Sequence, residues 1–136
     1  MSEPFLLQQR IVVQESGTLV ALELPDGLDV KVRRMFVVNS VPRAESRGDH
    51  AHRECVQILT CVAGQIEVTV DDGRRSWVFL LKPDGSSLYI PPGLWATQKY
   101  LQSDSTLVVL ASHHYDEADY FRVRSEYITW KLGSSS

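Results

Sequence analysis

Cysteine is scarce in this chain: Cys55 and Cys61 are the two among 136 residues. With no second pair, they cannot supply a disulfide framework or a four-ligand structural zinc site. Both lie in the apolar run CVQILTCV and read as small buried hydrophobes of a reducing compartment. Excess positive charge is lacking too. Fourteen Lys and Arg against 17 Asp and Glu leave −3 with histidine neutral, which argues against a nucleic-acid binder and its broad basic surface. No apolar stretch reaches the ~20 residues that span a bilayer. The opening MSEPFLLQQR has no basic segment leading into an apolar one, so the expectation is a cytoplasmic protein with no membrane or export role. Repeats, linkers and low-complexity tracts are absent, so one domain over 1–130 is expected. The last six residues, 131–136, have the composition of a tag remnant and are set aside.

Hydrophobic residues at 43% and charged ones at 23% are ordinary for a folded domain. Their period is two rather than 3.6. IVVQ, TLVALEL, VKVRRMFVV, VQILTCV, QIEVTV, SWVFLL, LYIP and TLVVLAS are short and rich in β-branched and aromatic residues, with turn signals between them. Asp72-Gly73 between QIEVTV and SWVFLL predicts a hairpin with a primed turn. Some eight strands without intervening helices predict an all-β sandwich or barrel. Two stretches break the pattern: the polar 40–54, and 115–127, which reads as a short helix or an irregular edge.

Charge is unevenly placed. Lys31, Arg33, Arg34, Arg43, Arg47 and Arg53 fall in one segment opposed only by Glu45 and Asp49. That is a solvated strand face or a pocket for a small anion such as a diphosphate, which Arg binds with two parallel donors. Within it, His50-Ala51-His52 points two imidazoles to one face if the segment is a strand. Metal-binding cupins continue from such a pair with a Glu and later a Pro-x-Gly-x-x-His. Here those positions hold Gln57 and, in Pro91-Pro92-Gly93-Leu94-Trp95-Ala96, Ala96. An amide and a methyl in place of two ligands make a poor site for a divalent ion, so a metal-free, cofactor-free site is expected. The histidines are then free to act as acid and base near neutral pH. Gln57 is odd and the histidines even, so a bulge or strand break must intervene if all three face inward.

The run Arg47-Gly48-x-His50-Ala51-His52-Arg53, with Asp71-Asp72-Gly73, Leu88-Tyr89-Ile90-Pro91-Pro92, Trp95 and LASxxYDExDYxR ending at Arg122, resembles the nucleotide-sugar 3,4-ketoisomerases of the cupin superfamily. Those enzymes act on thymidine-diphosphate-linked 4-keto-6-deoxyhexoses. The resemblance implies a cupin jelly-roll barrel of antiparallel strands and a homodimer with exchanged N-terminal strands. It also implies proton transfer by His50 and His52, and nucleotide binding by Arg47, Arg122 and aromatic residues. Arg53, Gln57, Tyr89 and Trp95 are further candidates for the substrate pocket, with Tyr89 and Trp95 equally readable as packed core. A tyrosine that many such enzymes carry in the strand before the histidines is absent, since that strand reads Phe36-Val37-Val38-Asn39-Ser40. Asp116, Glu117 and Asp119 read as carboxylates at a helix N-terminus. Two other functions stay open: a non-catalytic nucleotide-sugar-binding cupin, and a 3,5-epimerase, whose cupins use a His–Asp pair and a catalytic Tyr, against which the HAH run without such a pairing counts.

Overall fold

Alternation of apolar and polar residues puts one face of each strand into a common core, and here two antiparallel sheets share it. The computed structural model describes residues 3–133. In chain order the strands are β1 (Phe5–Leu7), β2 (Arg10–Gln14), β3 (Gly17–Ala21), β4 (Arg34–Val38), β5 (Ser46–His52), β6 (Gln57–Ala63), β7 (Ile66–Asp71), β8 (Ser76–Leu81), β9 (Ser87–Ile90), β10 (Trp95–Tyr100), β11 (Thr106–Ala111) and β12 (Tyr120–Phe121), followed by helix α1 (Arg124–Gly133). One sheet runs β1-β9-β6-β11-β4, the other β12-β5-β10-β7-β8, and β2-β3 form a separate hairpin. The result is a jelly-roll sandwich of the cupin kind.

Leu59, Cys61, Val68, Val70, Leu88, Leu107 and Val109 fill the space between the sheets, all nearly inaccessible. Burial holds the Cys61 thiol up near a pKa of about 11, so it stays protonated and inert. Each of the eight apolar segments contributes a strand. Two further strands lie where the sequence is polar: β5 within 40–54, and β10, WATQKY. Both are central in their sheet, so neighbours on each side impose extended backbone on residues of weak strand preference. The 71–76 connection is a hairpin, but its loop is four residues long and only Gly73 has positive φ, at 92°. Asp72 accepts from the Arg74 and Arg75 amides (2.8 and 2.7 Å), which favours the longer loop over a two-residue primed turn.

The 115–127 stretch divides into a 3-10 turn (Glu117–Asp119), β12 and the start of α1. Helix α1 continues through Lys131, Leu132 and Gly133, residues first set aside with the tail; 134–136 lie outside the described residues. It packs Tyr127 against Trp95 and Phe121 in a second, smaller core outside the β12-side sheet.

Candidate active site

Strand β5 aims the site through a bulge. Its register against β10 shifts between Ala96 and Thr97: Ala96 pairs with His50, and Thr97 with Gly48. Asp49 is the extra residue, with φ 52°, and its carboxylate accepts from Thr97 Oγ1 at 2.7 Å. The bulge brings Arg47, which is odd, onto the same inward face as His50, which is even. Gly48 has φ 97°, and a Cβ there would stand 3.0 Å from the Ala96 carbonyl oxygen, so the position demands glycine. The chain then breaks strand at 53–56 and enters the other sheet at Gln57, which resolves the parity mismatch.

Arg47, His50, Gln57 and Arg122 line one cavity of about 140 Å³ with Phe36, Val38 and Gln98. Gln98 is a buried amide on β10 that sequence reasoning passed over. The polar wall comes from β5, β6, β10 and the segment after β12, and the apolar wall from β4 and β11. His50 and His52 meet edge to face, with ring centroids 5.0 Å apart. Tyr120 covers both, at 5.2 Å from His50 and 4.3 Å from His52.

His52 Nδ1 lies 2.8 Å from Asp119 Oδ2, and the other Asp119 oxygen accepts from the Glu54 amide at 2.7 Å. A carboxylate only accepts, so the proton sits on Nδ1 and leaves the Nε2 lone pair free. Nε2 is buried without a partner among the described residues. Burial outweighs the Asp119 bond and lowers the His52 pKa from 6.5 to about 4. Burial also lowers that of His50, opposed by its bond to the Gly48 backbone and aided by the Arg122 charge. Both rings are therefore neutral at pH 7, further from an acid–base balance than their type suggested.

Asp119 corrects the helix-terminus reading of the 116–119 carboxylates. Asp116 does cap the 3-10 turn, accepting from the Ala118 amide at 3.0 Å. Asp119 instead orients His52, 67 residues away in sequence. Glu117 binds Arg122 through both oxygens (2.6 and 3.1 Å) and accepts from the Tyr115 hydroxyl. The Arg122 bonds, with that of Tyr115, lower the Glu117 pKa to about 2.

His52 is not part of the cavity lining, its buried ring lying against His50. Three further candidates point elsewhere. Arg53 points to the opposite face from His52, stacks 3.7 Å over Phe121 and donates to the Ala118 carbonyl at 3.1 Å. Tyr89 stacks on Phe5 of β1, centroids 4.5 Å apart, while its neighbours Leu88 and Ile90 face the core. Trp95 packs on Tyr127 in the small core. Each is displaced for one reason: it alternates with an inward residue.

The four positions that hold metal in a cupin carry His50, His52, Gln57 and Ala96. Ala96 offers no donor and Gln57 only a neutral amide, so the residues do not fit a resident metal. His52, Cys55 and Asp119 do bring ligand atoms within 4.8 Å of one another. That cluster is already satisfied, since the Cys55 thiol faces the Val56 carbonyl at 3.4 Å and Asp119 serves His52 and the Glu54 amide.

The family described as FdtA, WxcM-like, C-terminal, matches residues 5–131. The chain belongs to that family. A TDP-4-oxo-6-deoxy-alpha-D-glucose-3,4-oxoisomerase from Aneurinibacillus thermoaerophilus is 33% identical over 111 residues, 82% of this chain and 80% of that one. QdtA, a sugar 3,4-ketoisomerase from Thermoanaerobacterium thermosaccharolyticum solved with TDP, superposes with a TM-score of 0.87 at 25% identity over 96% of each chain. WlaRB, a TDP-quinovose 3,4-ketoisomerase from Campylobacter jejuni, gives 0.83 at 27% identity over 94% of this chain and 98% of that one. The Asp119 partner of His52 lies inside the YDExDY motif. Sequence alone could not show which histidine it faces.

Proposed function

We propose that this protein is an isomerase that moves the carbonyl of a TDP-linked 4-keto-6-deoxyhexose from C4 to C3. The observation that carries the reading is the histidine pair: His52, oriented by a carboxylate and with a buried, partnerless Nε2, lies against His50, which lines the arginine-bearing cavity. Its named relatives supply the substrate class.

The chemistry follows from those groups. His52 Nε2 takes the proton from C3, the C3–H pair becomes the C3=C4 bond, and the carbonyl pair moves onto O4. His50, facing the cavity, accepts the O3 proton and returns one to O4. The electrons then close C3=O, and C4 takes the proton held by His52. One proton leaves carbon and one returns, so no oxidant is consumed. Entry of a diphosphate brings negative charge beside His50 and His52, which raises their proton affinity toward the working range. Arg47 and Arg122 at the cavity receive the nucleotide diphosphate.

The protein acts as a homodimer in this reading. β1 pairs with β9 of its own chain, leaving the β2-β3 hairpin free to cross to a partner. That hairpin exposes Ile11, Val13, Leu19 and Val20, and the outer face of the neighbouring sheet exposes Leu6, Met35, Val37 and Val62. Apolar area of this extent is usually covered.

The test is incubation with TDP-4-keto-6-deoxyglucose in heavy water, following product and label by NMR. Label at C4 of a 3-keto product, or exchange at C3, is expected. His50→Asn and His52→Asn should each lose ~10²–10⁴ in turnover while TDP affinity holds. Binding without exchange would indicate a silent sugar-binding cupin. The His52–Asp119 pair removes the argument first raised against a 3,5-epimerase and keeps it as the second reading; exchange at C5 would establish it.

A further inference from the structure

Among the described residues three buried side-chain polar atoms lack a partner: Arg34 Nε, His52 Nε2 and the Tyr100 hydroxyl. Folded proteins leave few such atoms, and each calls for a cause. Tyr100 belongs to the core between the sheets. The other two flank the site.

Arg34 opens β4, and the alternation Arg34, Phe36, Val38 places it on the inner face with two residues that line the cavity. It pairs with Ala111, which pairs on its other side with Gln57. Arg34 and Gln57 therefore occupy one rung of the sheet, a step beyond Phe36. The guanidinium lies 5.2 Å from the Phe36 ring and 5.7 Å from Tyr115, whose ring is 5.7 Å from Tyr120. Tyr120 in turn lies against His52. No carboxylate pairs with Arg34 among the described residues, whereas Arg122 bonds Glu117 through Nε and Nη2.

The two orphan atoms are complementary: Arg34 Nε–H is a donor without an acceptor, and His52 Nε2 is a lone pair without a proton. A hydroxy-ketone offers the converse, an acceptor oxygen next to a carbon that gives up a proton. We propose that Arg34 donates to the carbonyl oxygen of the bound sugar and holds the charge that gathers there while His52 deprotonates the adjacent carbon. This rests on the isomerase reading. Arg34 keeps its own protons throughout; the C–H proton goes to His52 and the carbonyl pair to oxygen. Burial is the main reason His52 holds a proton weakly, Asp119 opposes it, and the Arg34 charge adds to the burial effect.

The experiment uses the full chain with Arg34→Met and Arg34→Lys, reading kcat, KM, TDP affinity by calorimetry, and rescue by guanidinium salt. Loss of one oxyanion donor removes ~10²–10³ in kcat. Arg34→Met should show that loss at unchanged TDP affinity, with partial rescue by guanidinium, and Arg34→Lys should lose less. Wild-type kcat within about threefold for Arg34→Met would overturn the assignment. So would unchanged kcat with TDP affinity falling in step with kcat/KM, the signature of a diphosphate ligand. Should the methionine variant unfold, Arg34→Lys decides: a loss of about tenfold or more in kcat supports the role, and about threefold or less removes it. Absence of turnover by the wild-type protein would overturn the isomerase reading and this assignment with it; full turnover by Arg34→Met overturns only the latter.

Discussion

His52 is neutral because of where it sits. Its carboxylate partner alone would favour the charged ring, yet burial dominates and takes the pKa from 6.5 to about 4. Between those values the unfolded chain binds a proton that the folded one refuses. Stability from this group is thus full above about pH 6.5 and falls as pH drops toward 4, by up to about 3 kcal/mol. In the proposed reaction the same neutrality sets the acid limit of the free protein's activity, because only the unprotonated Nε2 accepts a proton. The acid limb of kcat/KM should lie below about pH 5; a limb at the ordinary histidine value would mean that His52 is not held as described. Asp119→Asn separates orientation from burial. Its amide can donate to Nδ1 and so turn the proton to Nε2, where it blocks the base. Turnover should fall by about 10²-fold or more with TDP affinity kept, measured by paired kinetics and calorimetry.

Helix α1 braces the element that carries His52. Tyr127 is wholly buried, and its hydroxyl donates to the Gly93 carbonyl at 2.8 Å. The Gly93 amide in turn donates to the His52 carbonyl at 2.7 Å. At the start of the helix Arg124 grips both oxygens of Asp71 (2.8 and 3.0 Å), the residue where β7 ends. A chain of hydrogen bonds therefore runs from helix α1 to the backbone of His52. Tyr127→Phe keeps the packing against Trp95 and Phe121 but leaves the Gly93 carbonyl unsatisfied, which costs about 1–3 kcal/mol. The expected result is a lower urea midpoint at unchanged m-value, with a loss in kcat smaller than that of His52→Asn.

At the scale of the molecule, the apolar β2-β3 hairpin and the outer sheet face are the contact surface of the proposed homodimer. Val13 is 75% exposed and Leu19 57%, values that a lone chain would carry at a cost in solubility. Light scattering should give twice the 15.4 kDa chain mass at micromolar concentration. A Val13→Asp, Leu19→Asp double variant should shift it toward one chain. Wild-type protein at the mass of a single chain would overturn the dimer. Among the described residues no helix is long and apolar enough to cross a membrane.

Composition and period determined the class of fold by themselves, because β-branched residues alternating with polar ones can bury a face only as sheet. They also determined the histidine pair and the loss of the metal set, since those are facts about residue type at fixed spacing. The strands β5 and β10 were not legible, because their extended backbone is imposed by flanking strands rather than by their own residues. Which arginine does what was likewise undetermined: Arg47 reaches the cavity through a one-residue bulge, Arg53 is turned away by alternation, and Arg122 is bound to Glu117. Asp119 shows the same limit most sharply. Its carboxylate lies next to a helix in sequence, and only the pairing of β12 with β5, Tyr120 opposite His52, brings it to the imidazole. Residue type and spacing are local quantities. Partners 67 residues apart meet only when the sheet closes.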